Sequence, residues 1–99
     1  MLTGMEPQLV WKHFGEILTI PRCSGNEEKA RDYVKSFAKR LELETREDDA
    51  GNIVVRVPPT PGRGGAPVVV LQGHLDMVCE KNSDVEHDFA KDPIRSKVD

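Results

Sequence analysis

Apolar residues recur every three or four positions in two early stretches of the chain, which is the spacing of one helix face. The first stretch predicts a helix over residues 6–19, which Pro21 brings to an end. The second predicts a helix that begins near Asn26. The largely basic residues outside its apolar stripe are interpreted as a solvent-exposed face. The two apolar stripes consist of Val10, Phe14, Ile17 and Leu18, then Ala30, Val34, Phe37, Ala38 and Leu41.

The period changes to strict alternation from Leu41 to Arg46, which is typical of a half-exposed strand. Residues 48–52 contain the turn-forming sequence Asp-Asp-Ala-Gly-Asn, and the apolar stretch 53–57 follows directly. This arrangement predicts a β-hairpin. The acidic cluster at 47–49 is interpreted as stabilising the turn, in preference to binding a metal.

A proline- and glycine-rich loop over 58–67 separates the hairpin from four consecutive apolar residues, 68–71. An apolar run without polar alternation is typical of a strand covered on both faces in the middle of an α/β sheet. Pro67 and Gly73 mark its two ends. The whole pattern therefore predicts an α/β chain with two helices, a hairpin and a central buried strand.

The predicted central strand leads into His74 and Asp76. Residues two apart in extended backbone project to the same side, roughly 6.5–7 Å apart along the strand. A metal-binding imidazole usually donates its second ring N–H to a carboxylate, so Asp76 is a suitable partner for a metal-bound His74. The alternative is a capped strand end with a solvated histidine and an aspartate bonded to loop amides. Spacing alone leaves both interpretations open.

Two segments of the chain resemble one known family. The run Val-Val-Val-Leu-Gln-Gly-His-Leu-Asp-Met-Val-Cys-Glu-Lys at 68–81 is similar to the first metal motif of the M20 metallopeptidases, in particular their aminoacyl-histidine dipeptidase branch. The run Ile-Pro-Arg-x-Ser-Gly-Asn-Glu at 20–27 resembles the segment that joins the first two helices in that group. The resemblance implies two zinc ions, with His74 a ligand to one of them and Asp76 a catalytic-site residue that orients His74.

The resemblance also implies an activity and a domain. The activity is hydrolysis of dipeptides of the Xaa-His type by a water shared between the two zinc ions. Residues 1–99 would form the N-terminal portion of a zinc-exopeptidase-like, three-layer αβα catalytic domain, with the remaining ligands, the general base and the lid domain lying later in a longer chain. By itself the 99-residue chain is expected to be inactive and to bind zinc weakly or not at all. The alternatives are another M20 hydrolase, such as an amino-acid deacylase, and a non-catalytic binding or structural domain.

Composition narrows the classes of partner and location. The 14 lysines and arginines are dispersed among 17 acidic residues, giving a net charge of −3, so nucleic acid is not an expected partner. No apolar run approaches the ~20 residues that span a membrane, and the expected location is the cytoplasm. Cys23 and Cys79 are accordingly predicted to be reduced thiols. Cys23 is interpreted as an incidental loop residue, with a reactive thiol as the less favoured alternative.

Overall fold

A computed structural model describes residues 2–99, in which two α-helices are followed by one β-hairpin. Helix α1 spans Gln8–Leu18 and helix α2 spans Glu28–Arg40, while strand β1 spans Glu44–Glu47 and strand β2 spans Ile53–Arg56. The α/β class, both helices and the hairpin are therefore confirmed. The described residues form two compact units, one comprising 2–30 and 75–99 and the other 31–74.

Helix α1 is held at both ends by hydrogen bonds to carbonyl groups. At its start, the backbone N–H of Trp11 donates to the Pro7 carbonyl at 3.4 Å. At its end, the Thr19 hydroxyl donates to the Glu16 carbonyl at 2.6 Å, which satisfies one of the carbonyls left without a helical partner. Leu18 is buried, and its carbonyl accepts from the Ile94 N–H at 2.9 Å. The first unit is therefore joined by backbone bonds between its early and late segments.

Helix α2 begins at Glu28, two residues after the predicted Asn26, and ends in a Schellman turn. Glu42 has a φ of 57°, the left-handed conformation that commonly stops a helix. The N–H of Leu43 donates to the Ala38 carbonyl at 2.9 Å, which is the six-to-one bond of this motif. The prediction that strand character starts at Leu41 is wrong for this reason, since residues 41–43 close the helix and β1 starts at Glu44.

The two strands pair antiparallel, with Thr45 opposite Val55 and Glu47 opposite Ile53. Asp48 closes the turn between them. Its carboxylate accepts from the backbone N–H of Ala50 at 3.0 Å and from the backbone and side-chain N–H groups of Asn52, each at 2.8 Å. Those bonds, with the Asn52 side chain first, lower the pKa of Asp48. The predicted turn-stabilising role of the acidic cluster is confirmed at this residue.

Helix α2 is connected to the hairpin through Glu47. Lys35 Nζ lies 3.0 Å from Glu47 Oε1 and Arg31 Nε lies 3.4 Å from Glu47 Oε2. The hydrogen bond to Glu47 is the main cause of a raised pKa at Lys35. Part of the basic face that was predicted to be solvated therefore pairs with β1, although exposed pairs of this kind add little stability.

The predicted central buried strand at 68–71 is wrong for the chain as described. These four residues belong to no strand, and the side chains of Val68, Val69, Val70 and Leu71 are between 79% and 94% exposed. A strand forms only where a neighbouring strand satisfies its backbone hydrogen-bonding groups. Strands β1 and β2 pair with each other, and neither pairs with residues 68–71. Within residues 2–99, no helix is long and apolar enough to cross a membrane.

Candidate metal motif

His74 and Asp76 lie outside the helices and strands, between the exposed run 68–71 and the bridge residue Met77. His74 is the last residue of the second unit and is exposed to solvent. Asp76 belongs to the first unit and is half-buried. The sequence predicted that both residues lie at the end of a rigid strand, whereas the structure assigns neither of them to a strand.

The residue after Asp76 is fixed by backbone pairing. The Met77 N–H donates to the Arg22 carbonyl at 2.9 Å, and the Met77 carbonyl accepts from the Ser24 N–H at 3.2 Å. These two bonds form a parallel bridge centred on Cys23 and Met77. The segment that carries Asp76 is therefore held to the loop that precedes α2, which is the second segment that resembles the M20 family.

The described residues do not by themselves provide a zinc centre. Zinc sites normally have three or four protein ligands from histidine, cysteine or carboxylate side chains. Among residues 2–99, no group of three or more such side chains is close enough together to hold a metal. His74 would be a single imidazole ligand, so the chain alone does not fit a catalytic zinc ion.

A cavity of about 360 Å³ lies in the first unit, and residues 77–81 form part of its wall. The irregular segment 80–94 contributes much of the remainder, including Phe89 and His87, whose rings are 4.9 Å apart. Arg22 also lines the cavity and donates from Nη1 to the Ile17 carbonyl at 2.8 Å. Burial lowers the pKa of Arg22, but a guanidinium stays protonated in proteins. The absence of helix and strand that was predicted for 80–94 is confirmed.

Cys23 and Cys79 are joined by a disulfide bond, so the prediction of two reduced thiols is wrong in this structure. The bridge between residues 23 and 77 explains the pairing, because it brings the two Cα atoms to 5.6 Å across a sequence separation of 56 residues. Spacings of roughly 4.4–6.8 Å suit a disulfide. Two isolated cysteines that far apart in sequence gave no local pattern from which the bond could be found.

Two comparisons identify relatives of the whole chain. It is 43% identical over 98 residues to the cytosol non-specific dipeptidase of Escherichia coli (strain K12), an alignment that covers 99% of this chain and 20% of that protein. The crystal structure of the aminoacylhistidine dipeptidase from Vibrio alginolyticus matches 100% of this chain with a TM-score of 0.94 at 37% identity. The chain is homologous to part of a dipeptidase. The predicted resemblance to the aminoacyl-histidine dipeptidases is confirmed.

The homology covers a limited part of each relative. The chain spans 20% of the length of both dipeptidases. No protein-family model matches the chain. The fold of the described residues is therefore that of a dipeptidase segment, and the segment includes His74 and Asp76.

Proposed function

We propose that the chain is the N-terminal portion of the catalytic domain of an M20-type, zinc-dependent dipeptidase and supplies its first metal motif. The observation that carries this proposal is the match of the entire chain to the aminoacylhistidine dipeptidase at a TM-score of 0.94 and 37% identity. The name of that relative supports Xaa-His dipeptides as the substrate class. In the complete enzyme, the domain would be a three-layer αβα domain.

In this proposal His74 is a ligand to one of two zinc ions, and Asp76 orients the imidazole. A carboxylate that accepts the second ring N–H fixes the tautomer and makes the coordinating nitrogen more basic. Because residues 2–99 lack a set of three ligating side chains, the other ligands and the general base would come from the rest of the longer protein. Alone, the 99-residue chain is then expected to be inactive.

The exposed run 68–71 supports the same proposal on physical grounds. Its four apolar side chains are at least 79% exposed, and its backbone is unpaired. An apolar, β-branched run of this kind is stable when strands lie on both sides of it and helices cover its faces. Neighbouring strands from the rest of a catalytic domain would provide that environment, and would hold His74 at the end of a rigid strand.

The comparisons favour a dipeptidase over the two alternatives. Both relatives are named as dipeptidases, and neither name refers to deacylation or to a non-catalytic role. A cytoplasmic location is also part of the proposal. It is supported by the name of the Escherichia coli relative, a cytosol dipeptidase.

The proposal is tested in a complete enzyme that carries this segment, by measuring zinc content and Xaa-His hydrolysis. His74→Ala is expected to lose one of two zinc ions. Asp76→Ala is expected to lower zinc affinity or activity by roughly 10- to 100-fold, as for other residues that orient a metal ligand. Asp76→Asn keeps the size and a hydrogen-bond acceptor but loses the charge, so it should retain zinc better than Asp76→Ala while still turning over slowly.

His87→Ala is the matched control, because His87 lies in the segment 80–94 and has no role as a ligand in this proposal. It should retain both zinc ions. Normal zinc content together with normal turnover in Asp76→Ala would show that Asp76 is only a strand-end carboxylate. The proposed role of the His74 and Asp76 pair would then be wrong.

A further inference from the structure

The Cys23–Cys79 disulfide has no part in the proposed dipeptidase chemistry, which uses an imidazole and a carboxylate. It nevertheless lies next to the metal motif, since Cys79 is three residues after Asp76. Its partner Cys23 lies in the loop before α2. The bond therefore cross-links two segments that each resemble the M20 family.

The disulfide reinforces a short backbone pairing. Met77 exchanges hydrogen bonds with Arg22 and Ser24 at 2.9 and 3.2 Å, and the sulfur bridge lies two residues beyond Met77. A two-bond parallel bridge is a weak structure without further support, because it fixes few backbone groups. Breaking the disulfide should leave the pairing possible but less persistent. The segment that follows Asp76 would then move more freely.

Both cysteines can be reached by a small molecule. Each is half-buried, and both line the 360 Å³ cavity of the first unit. Arg22, Lys81 and Arg95 also line it, next to the acidic Glu80 and Asp92. Thiol–disulfide exchange requires access to a sulfur, and positive charge near that sulfur favours the thiolate that leaves it. The cavity therefore provides the space that such exchange requires, and three of its lining side chains are cationic.

We propose that Cys23–Cys79 is a reversible redox-modification site that reacts with a small thiol of the glutathione class. One thiolate attacks a sulfur, forms a mixed disulfide and displaces the other cysteine as a thiolate, which takes a proton. A second small thiolate then attacks the mixed disulfide and releases the first cysteine. The products are two protein thiols and one oxidised small-molecule disulfide, so two electrons pass to the protein. In a cytoplasm whose glutathione keeps thiols reduced, the cross-link would form only under oxidising conditions.

The test equilibrates the 99-residue chain in buffers of defined ratios of reduced to oxidised glutathione. Acid quenching, alkylation and mass spectrometry count the free thiols, and hydrogen exchange is followed at the amides of Met77 and Ser24. We expect one reversible transition between zero and two free thiols. Reduction should accelerate exchange at these two amides by roughly tenfold, while the β1 and β2 ladder amides keep their rates.

Two variants separate the cross-link from access to the cavity. In Cys23→Ser/Cys79→Ser, exchange at the Met77 and Ser24 amides should equal that of the reduced chain in every buffer. In Cys79→Ser, Cys23 should form a mixed disulfide with one glutathione. Two free thiols at every buffer ratio, or equal exchange rates in the oxidised and reduced chain, would overturn the proposal. Failure of Cys79→Ser to form the mixed disulfide would overturn it as well, because the sulfur would then be inaccessible.

Discussion

Two apolar runs in the second unit have similar sequences but different structures. Strand β2 at Ile53–Arg56 pairs with β1, and its residues alternate between half-buried and exposed. Residues 68–71 are just as apolar and β-branched, yet they are unpaired and between 79% and 94% exposed. The comparison shows that strand propensity does not make a strand where no neighbour is available.

The difference follows from what lies next to each run. A short turn closed by Asp48 brings β1 alongside β2, so the pairing costs little chain entropy. The run 68–71 follows the loop 58–67, which contains no helix or strand. His74 lies three residues after the end of this unpaired run. Among residues 2–99, no three potential ligand side chains lie close enough together to hold a metal, so the His-x-Asp sequence is present without a complete site.

The largest expected effect comes from Gly51→Ala in the hairpin turn. Gly51 has a φ of 87°, and an added Cβ would lie 3.0 Å from Nη1 of Arg31. An alanine in this left-handed conformation costs about 1–2 kcal/mol, so the opening free energy of the hairpin should fall by that amount. Native-state hydrogen exchange at the ladder amides of β1 and β2 measures it.

Gly65→Ala is the control for this substitution, since Gly65 lies in the loop 58–67 and has nothing within 4 Å of an added Cβ. Exchange in the hairpin should stay unchanged in that variant. Equal effects of the two substitutions would mean that the turn does not hold β1 and β2 together.

A smaller effect is expected from truncating one side chain in each run. Val55 is half-buried opposite Thr45, so Val55→Ala should lower the stability of the hairpin by about 0.5–1 kcal/mol. Val69 is 80% exposed, so Val69→Ala should change the free energy of unfolding by no more than about 0.5 kcal/mol. Urea unfolding followed by circular dichroism compares them. A larger loss at Val69 would show that the 68–71 run is packed in solution.

The smallest effect is a loss of hairpin stability in acid. Hydrogen bonds from Asn52 and the turn amides lower the pKa of Asp48 in the folded chain. The ionised carboxylate therefore stabilises the turn fully when the pH is above 3.8, the ordinary pKa of an aspartate. This contribution is lost as the pH falls through the lower pKa that Asp48 has in the folded chain. NMR titration of the hairpin amides should show this loss of turn stability in the native chain. The control variant Asp49→Asn, which keeps Asp48, should show the same loss. The same transition in Asp48→Asn would assign it to another group.

Local patterns predicted the parts of the fold that have their partners nearby. The helical stripe around Phe14 and Ile17 predicted α1, and the turn residues at 48–52 predicted the hairpin. The predicted start of β1 was too early because the helix ends at a left-handed residue that the sequence does not reveal. Glycine is the usual residue in that conformation, whereas here it is Glu42. Long-range features were harder to predict. The Cys23–Cys79 bond and the Arg31–Glu47 pair depend on contacts that no local period records.

The candidate site was only partly predictable for the same reason. The His-x-Asp motif and its family resemblance were evident from 68–81, and the comparisons with two dipeptidases confirm the resemblance. The burial predicted for 68–71 was wrong because it assumed neighbouring strands that residues 2–99 do not provide. An apolar run indicates that a segment needs to be buried to be stable. Whether it is buried depends on the presence of neighbouring strands and helices.

The most direct test of this account is the zinc content of the purified 99-residue chain after dialysis against a mild chelator. One imidazole with a supporting carboxylate cannot replace the hydration shell of the metal in a closed site, so far less than one zinc per chain should remain. Chelator-sensitive hydrolysis of an Xaa-His dipeptide should also be undetectable. Nearly one zinc per chain, lost together with hydrolysis in His74→Ala, would contradict the claim that this chain carries a motif without a complete site.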